Sequence, residues 1–391
     1  MNSAIEAPSP GTRPKNRREL TVAAATELFY RRGYRQVSVA DIARATNVGP
    51  SAIFRHFPAK SELLVAAIRA SLDPAHERIT AAAGRGDALP VVLSDLAAFV
   101  LDHRSLGVLW QREARSLPDE EQRPLRVLVR DTSLALAAII QANRPGLGAE
   151  RADLLAWCAF GALVSVGFHS LELPRDEYLQ LLAGLAETVV LIDLPESSKT
   201  FRSQTRAPVA NRREHLMAEA TELFAERGFA TVGVDDIGSA AGITGPSVYA
   251  HFESKQKLLL AVMERGNRVL RSEAADAIAR HDMPESTLGR LVDSYVGLAM
   301  RDRYLIRIVL SEVSQLDDED REAARRRQRE YIDTWTRLLV DSRGEDVVVA
   351  RIRVQAVLIV ISDAAQTPHL RSQPGFESAL RAVAIALLGL D

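Results

Sequence analysis

Two stretches decide the fold: Ser38-Val-Ala-Asp-Ile-Ala-Arg-Ala-Thr-Asn-Val-Gly-Pro-Ser-Ala-Ile-Phe-Arg-His-Phe-Pro-Ala-Lys60 and Val234-Asp-Asp-Ile-Gly-Ser-Ala-Ala-Gly-Ile-Thr-Gly-Pro-Ser-Val-Tyr-Ala-His-Phe-Glu-Ser-Lys255. In the first, apolar residues recur every three or four positions, the period of a helix face. Ile42 and Ala45 are placed inward on one short helix, and Val48 plugs the turn after it. Ile53 and Phe57 point inward from a second short helix near 50–56, which leaves Pro50, Ser51, Phe54 and Arg55 outward. In the second stretch the outward set is Gly245, Pro246, Tyr249 and Ala250, on a helix near 245–251. Ser38 reads as an N-cap: its hydroxyl takes the amide three residues on, and Asp41 reaches back to close a capping box. Gly233 stands at that place in the second stretch and keeps only Asp236, so this helix start should be weaker by about 1 kcal/mol. A longer support helix precedes each stretch, with Ala23, Leu28 and Phe29, or Ala218, Leu223 and Phe224, on its inner side. Each support helix ends at a glycine followed by an aromatic, Gly33-Tyr34 and Gly228-Phe229, because glycine takes positive φ without a Cβ clash. Lys60 and Lys255 open a longer fourth helix. Two short helices joined by a tight turn behind a support helix make a helix-turn-helix, predicted here twice.

Working outward, the two stretches are parts of one repeat. Shifted by 195 positions, Asn16–Leu64 lies on Asn211–Leu259 without a gap, and 22 of the 49 aligned positions are identical. That period is far beyond the ~20–50 residues of a solenoid unit, so it marks a duplicated domain. The seam, PESSKTFRSQTRAPVA, is polar and bounded by prolines, the composition of a linker. The predicted organisation is a basic arm at 1–18, a first helix-turn-helix domain at 19–64 and a first helical regulatory domain at 65–194. A linker at 195–210 leads to a second helix-turn-helix domain at 211–259 and a second regulatory domain at 260–391. Beyond the repeat the apolar spacing stays helical almost throughout, so the expected class is all-α.

Composition removes several functional classes. The chain of 391 residues has 49 Lys and Arg against 51 Asp and Glu, a net charge of -2, which excludes a uniformly basic nucleic-acid coat. Its one cysteine, Cys158, excludes an internal disulfide framework and a cysteine-based zinc site, and fits a reducing cytoplasm. Met1–Arg18 carries Pro8, Pro10 and Pro14 with no apolar core, so it does not read as a signal peptide. The most apolar stretch, Leu154–Phe168, is shorter than the ~18 residues a membrane span needs and reads as a buried helix. No Gly-x-Ser-x-Gly elbow, Walker loop or His-Glu-x-x-His occurs, and no two of the eight His stand at metal spacing. No catalytic residue, metal or cofactor is therefore expected.

Both quoted stretches resemble the DNA-binding signature of TetR/AcrR-type transcriptional regulators, here duplicated in tandem. The resemblance implies two fused halves, each a three-helix helix-turn-helix domain followed by a C-terminal bundle for ligand and dimer contacts. It implies that the short helix starting at Pro50 or Gly245 enters the major groove of double-stranded operator DNA, with Ser38, Ser51 and Ser247 beside it. It also implies that His56, Lys60, Tyr249, His251 and Lys255 hold phosphates, while the Thr244 hydroxyl caps its helix or reaches a phosphate. Phe54 departs from the family's tyrosine and Gly49 from its Ser or Thr, which weakens the first phosphate clamp; Arg55, absent from the second copy, can compensate. Arg55 can donate two bonds to guanine, with a phosphate contact or a solvated side chain as the alternatives. Arg13, Lys15, Arg17 and Arg18 read either as a groove-seeking arm or as a solvated tail. Residues 11–70 hold 11 basic and 4 acidic side chains, residues 206–265 hold 7 and 8, so the first copy should be the stronger anchor.

Ordinary members of the family bring one reading head per chain. Two heads in one chain predict a monomeric pseudo-dimer, favoured over a homodimer, on an operator that need not be palindromic. Leu154–Phe168 and Val354–Ile361, apolar on all sides, are the expected interface helices. The resemblance further implies a small hydrophobic effector, a lipid, acyl-CoA, sterol or aromatic, that releases a repressor from DNA. Phe99, His103, Trp110, Trp157, Phe160, Val164 and Phe168 are cavity candidates in the first half; Tyr295, Tyr304, Tyr331 and Trp335 are those in the second. Ordinary core packing is the alternative for each of them. The rival class is a protein-binding adaptor whose second head no longer grips DNA.

Overall fold

The computed structural model describes residues 17–195, 211–229, 231–280 and 283–390. The proposed arm before Arg17 and the linker after Pro195 lie outside the described residues. All regular structure among the described residues is helical. The helices gather into two units, 1–145 and 146–391. The division falls inside the stretch expected as the first regulatory domain, 65–194.

In the first unit, α1 (Arg17–Arg32), α2 (Val39–Ala45) and α3 (Pro50–Phe54) form the first head, and α4 (Lys60–Arg85) opens the body. Its core is built from Val22, Ala25 and Phe29 of α1 with Ile42, Ala43, Ile53 and Phe57. Two inward positions read from spacing are displaced: Ala23 and Ala45 are exposed, and Ala43 is buried instead. A helix as short as α2 has too few turns for spacing alone to fix its inner face. The turn between α2 and α3 contains Asn47 at φ 53, and the aligned Gly242 sits at φ 68. The turn needs a left-handed residue, a conformation open to glycine and tolerated by asparagine. Behind the head, α5 (Leu89–Asp102), α6 (Ser105–Val108) and α7 (Asp119–Asn143) complete the unit, with α4 lying along α7. His76 of α4 and Thr132 of α7 meet at 3.1 Å. Between α6 and α7 the chain widens into a π turn, Leu109–Glu113, and then tightens at Ala114–Ser116.

The second unit starts with α8 (Ala149–Val164) and α9 (Arg175–Leu191). The second head follows as α10 (Arg212–Arg227), α11 (Val234–Ala240), α12 (Gly245–Val248) and α13 (Lys255–Ile278). The body is α14 (Pro284–Arg301), α15 (Arg303–Ser311), α16 (Asp318–Arg343), α17 (Val347–Gln366), α18 (Pro368–Arg371) and α19 (Phe376–Leu388). Leu305 and Ile308 of α15 share one buried cluster with Leu216 and Phe224 of α10, so the second head and its body have a continuous core. In α13, a Cβ on Gly266 would come within 2.7 Å of Val309, which lets α15 lie close.

The helices expected as an interface pack on each other: α8 lies against α17, and α9 against α19. Leu154, Leu155, Ala156, Cys158 and Ala159 are all buried, as are Ala356–Ile361, which fits helices apolar on every side. Gly161 permits the close approach, since a Cβ there would stand 3.1 Å from Val360 Cγ2. One polar pair crosses this contact and a second joins α8 to α18. Trp157 Nε1 donates to Asp363 Oδ2 at 2.7 Å, and His369 Nε2 lies 3.3 Å from Asp153 Oδ2. Burial pushes the Asp363 carboxyl up to about 6, with the Trp157 donation opposing the rise. The apolar run Ala149–Phe168 is long enough to cross a membrane, but it is mostly buried within the protein.

Candidate nucleic-acid interface

The first head is locked by its caps. Ser38 Oγ accepts the Asp41 amide at 3.1 Å, and the Ser38 amide donates to Asp41 Oδ2 at 2.9 Å, the predicted capping box. The Ser38 hydroxyl also donates to Asp41 Oδ2 at 2.7 Å, and this bond, with that of the Ser38 amide, holds the Asp41 carboxyl down to about 2. Ser38 thus serves the start of α2, while Arg44 pairs with Asp41 at 3.0 Å. In the second head the Gly233 amide donates to Asp236 Oδ2 at 2.7 Å, which is the surviving half of the box.

Pro50, Ser51, Phe54, Arg55 and His56 are all exposed on and just after α3. Pro246, Ser247, Tyr249, Ala250 and His251 are exposed on and just after α12. Phe54 and Tyr249, at aligned positions, are 48% and 54% exposed. Both recognition helices are shorter than the spacing suggested, ending at Phe54 and Val248.

Four positions depart from the sequence reading. Gly245 is buried, not outward: a Cβ there would run into the Asp235 carboxylate. It is a contact point of α12 with α11, where Gly238 likewise leaves room for the Gly245 amide. The Thr244 hydroxyl makes no cap bond and meets Ser247 Oγ at 2.8 Å. Lys255 Nζ donates to the carbonyls of Phe229 and Val232 at 2.9 and 2.8 Å and lies 4.3 Å from the Phe229 ring centre. Lys60 Nζ sits 4.2 Å over the Tyr34 ring in the same way, and burial lowers its pKa. Both ammonium groups fasten the loop between the first two helices. A second cation–ring pair also repeats: Arg18 over Phe57 at 5.1 Å and Arg213 over Phe252 at 4.5 Å.

One constellation was missed by the sequence reading. The buried Glu113, on the π turn, accepts the Tyr34 amide at 2.8 Å and Arg112 Nε at 2.5 Å. Arg112 also donates to the Tyr30 carbonyl at 3.2 Å. Together they fix the end of α1 to the body of the first unit. The adjacent opposite charges Arg112-Glu113, just after the apolar run Leu106–Trp110, were the available signal.

The cavity candidates separate. Phe99 is buried with His103 stacked on it at 4.1 Å, and the His103 ring is tied to the Phe99 carbonyl, so both belong to the body of the first unit. Trp110 is half-buried on the π turn. Trp157 is spent on Asp363; Phe160 is half-buried and Val164 buried on the same helix. Tyr304 is engaged elsewhere, accepting from Arg303 and donating to Glu226 at 2.8 Å. Tyr295, Tyr331 and Phe168 line one cavity of about 250 Å³ among α13, α14, α15, α16 and α17. Trp335 is fully buried and meets both tyrosine rings edge-on, at 6.3 and 6.1 Å. The Tyr295 hydroxyl pairs with Ser362 at 2.9 Å, and burial raises it to about 12.

Comparison with known proteins follows the same lines. The family model described as bacterial regulatory proteins of the tetR family matches twice, at 22–67 and 216–262. A model of the tetracyclin repressor-like C-terminal domain matches 281–368. The transcriptional activator FasR of Mycolicibacterium smegmatis is 42% identical over 64 residues, which is 16% of this chain and 29% of FasR. The transcriptional repressor KstR2 of the same organism is 39% identical over 59 residues, 15% of this chain and 29% of its own. The chain thus spans under a third of either relative. The solved TetR-family regulator from Bordetella parapertussis aligns over 45% of this chain and 94% of its own, at 18% identity and a TM-score of 0.41. With two matched segments, each built as a helix-turn-helix, the chain carries in tandem the DNA-binding domain of the tetR family of bacterial regulatory proteins.

Proposed function

We infer that the protein is a repressor that reads one operator with both of its heads, as an intramolecular pseudo-dimer, and leaves it when a small hydrophobic effector binds. The observation that carries the pseudo-dimer is the contact of α8 with α17. Its polar pair, Trp157 with Asp363, and the neighbouring pair of Asp153 with His369 of α18 are both closed within one chain, so the contact needs no second copy to satisfy it. Once the contact is made within one chain, two different heads serve one duplex, and Arg55 opposite Ala250 favours half-sites of unlike sequence. FasR is named an activator and KstR2 a repressor. A regulator seated on promoter DNA obstructs access to it, which supports repression.

Light scattering coupled to gel filtration, on the free protein and on its operator complex, tests the arrangement. The expected masses are one chain alone and one chain per duplex. Two chains per duplex would overturn the pseudo-dimer. A promoter-reporter assay with and without the gene tests the sign: expression should rise on deletion.

A further inference from the structure

The cavity among α13, α14, α15, α16 and α17 is lined by a buried amide that the surrounding helices leave unpaired. Asn267 lines it, is 5% exposed, and its Nδ2 has no hydrogen-bond partner among the described residues. Around it the wall is apolar and aromatic: Leu270, Tyr295, Ile306, Tyr331 and Leu358. Buried amide donors in folded proteins are almost always paired, and an orphan loses its solvation with no return. A donor left open inside a largely apolar cavity is matched to an oxygen acceptor.

The rim defines the rest. Arg325, Arg329 and Arg351 reach the same cavity. Arg351 pairs with Asp333, and Arg329 with Glu322 at 2.6 Å. Arg329 keeps about half of its side chain in water, and Arg325 is exposed too. Arg351 and Arg329 already hold carboxylates, and Arg325 and Arg329 stand in water, so the rim binds a further anion weakly. The discriminating contact is therefore the buried neutral amide rather than the guanidinium rim. A volume of about 250 Å³ lies below the range typical of drug-sized ligands, so the occupant is small.

We propose that this cavity takes a small, neutral, mostly apolar carbonyl compound whose oxygen accepts from Asn267 Nδ2 while its body lies against Tyr295 and Tyr331. The proposal rests on the effector reading above and names its chemistry. The probes are acetophenone, its shape-matched hydrocarbon α-methylstyrene, and benzoate, titrated into the full chain by calorimetry or ligand-observed NMR. Acetophenone should bind about tenfold more tightly than α-methylstyrene, the fold-change of one buried hydrogen bond, with benzoate no tighter than acetophenone. In Asn267→Leu the first two probes should bind alike. Equal affinities on the unaltered protein mean a retained water satisfies the amide, and they overturn the proposal. So does tightest binding of benzoate, absence of binding by all three, or a preference that survives Asn267→Leu. Operator release is scored separately in a mobility-shift assay: binding without release would defeat the effector reading and leave the site standing.

Discussion

At the scale of single residues, the two heads differ most where they would touch bases. Arg55 stands exposed at the end of α3, and its aligned partner is Ala250. If Arg55 grips a guanine, Arg55→Ala should weaken operator binding by about 1–3 kcal/mol and relax preference at a single base pair. Binding measured across operator variants checks this, and an even loss over all sequences would assign Arg55 to a phosphate instead. Asp363 supports a second residue-level prediction. Its carboxyl titrates near 6 in the folded protein and near the ordinary 3.8 when unfolded, because burial disfavours the anion. A raised carboxyl favours folding only below the unfolded value, and that contribution is lost as pH climbs from about 4 to about 6. Asp363→Asn keeps an acceptor for Trp157 and removes the titration. Melting temperatures of the two proteins should be close at pH 4, with the variant ahead at pH 7.

At the scale of elements, α11 and α12 show how the repeat diverged. The second head places Asp235 against Gly245, where the first has Ala40 and Pro50. Gly245→Ala should destabilise the second head by about 1–3 kcal/mol through overpacking, and Asp235→Ala added to it should restore most of the loss. A thermal melt of the single and double variants reads both steps; no recovery in the double variant would show that Asp235 is not the obstacle. The helices themselves were legible in the sequence, because the Ser38 box, the glycine after each support helix and the spacing of Ile42, Ile53 and Phe57 are local signals. The roles of Lys60, Lys255 and Trp157 were not. Sequence places each on the right helix, but whether a long cation folds back over Tyr34 or Phe229 depends on tertiary contacts. The Asn267 amide escaped notice for the same reason: only the surrounding helices make it an orphan.

At the scale of the whole molecule, the formal charge of -2 hides a divided one. With Lys60 and Lys255 engaged internally, phosphate contacts fall to the remaining basic and polar side chains. Binding to nonspecific duplex should still weaken with salt, with a log–log slope of roughly -4 to -9 for about 4–5 contacts per head. A slope near zero in a filter-binding series would mean that the heads do not grip the backbone at all.

The burial of α8 against α17 bears on how the chain can be divided. Its ancestry splits at the polar joint after Leu194, yet its architecture splits about fifty residues earlier, between Pro145 and Gly146. A gene severed at the ancestral joint would yield a front fragment with a bare greasy flank and a rear fragment missing its lid, each prone to clump when made alone. Made side by side in one cell, the same fragments should find each other and reassemble without any peptide bond between them.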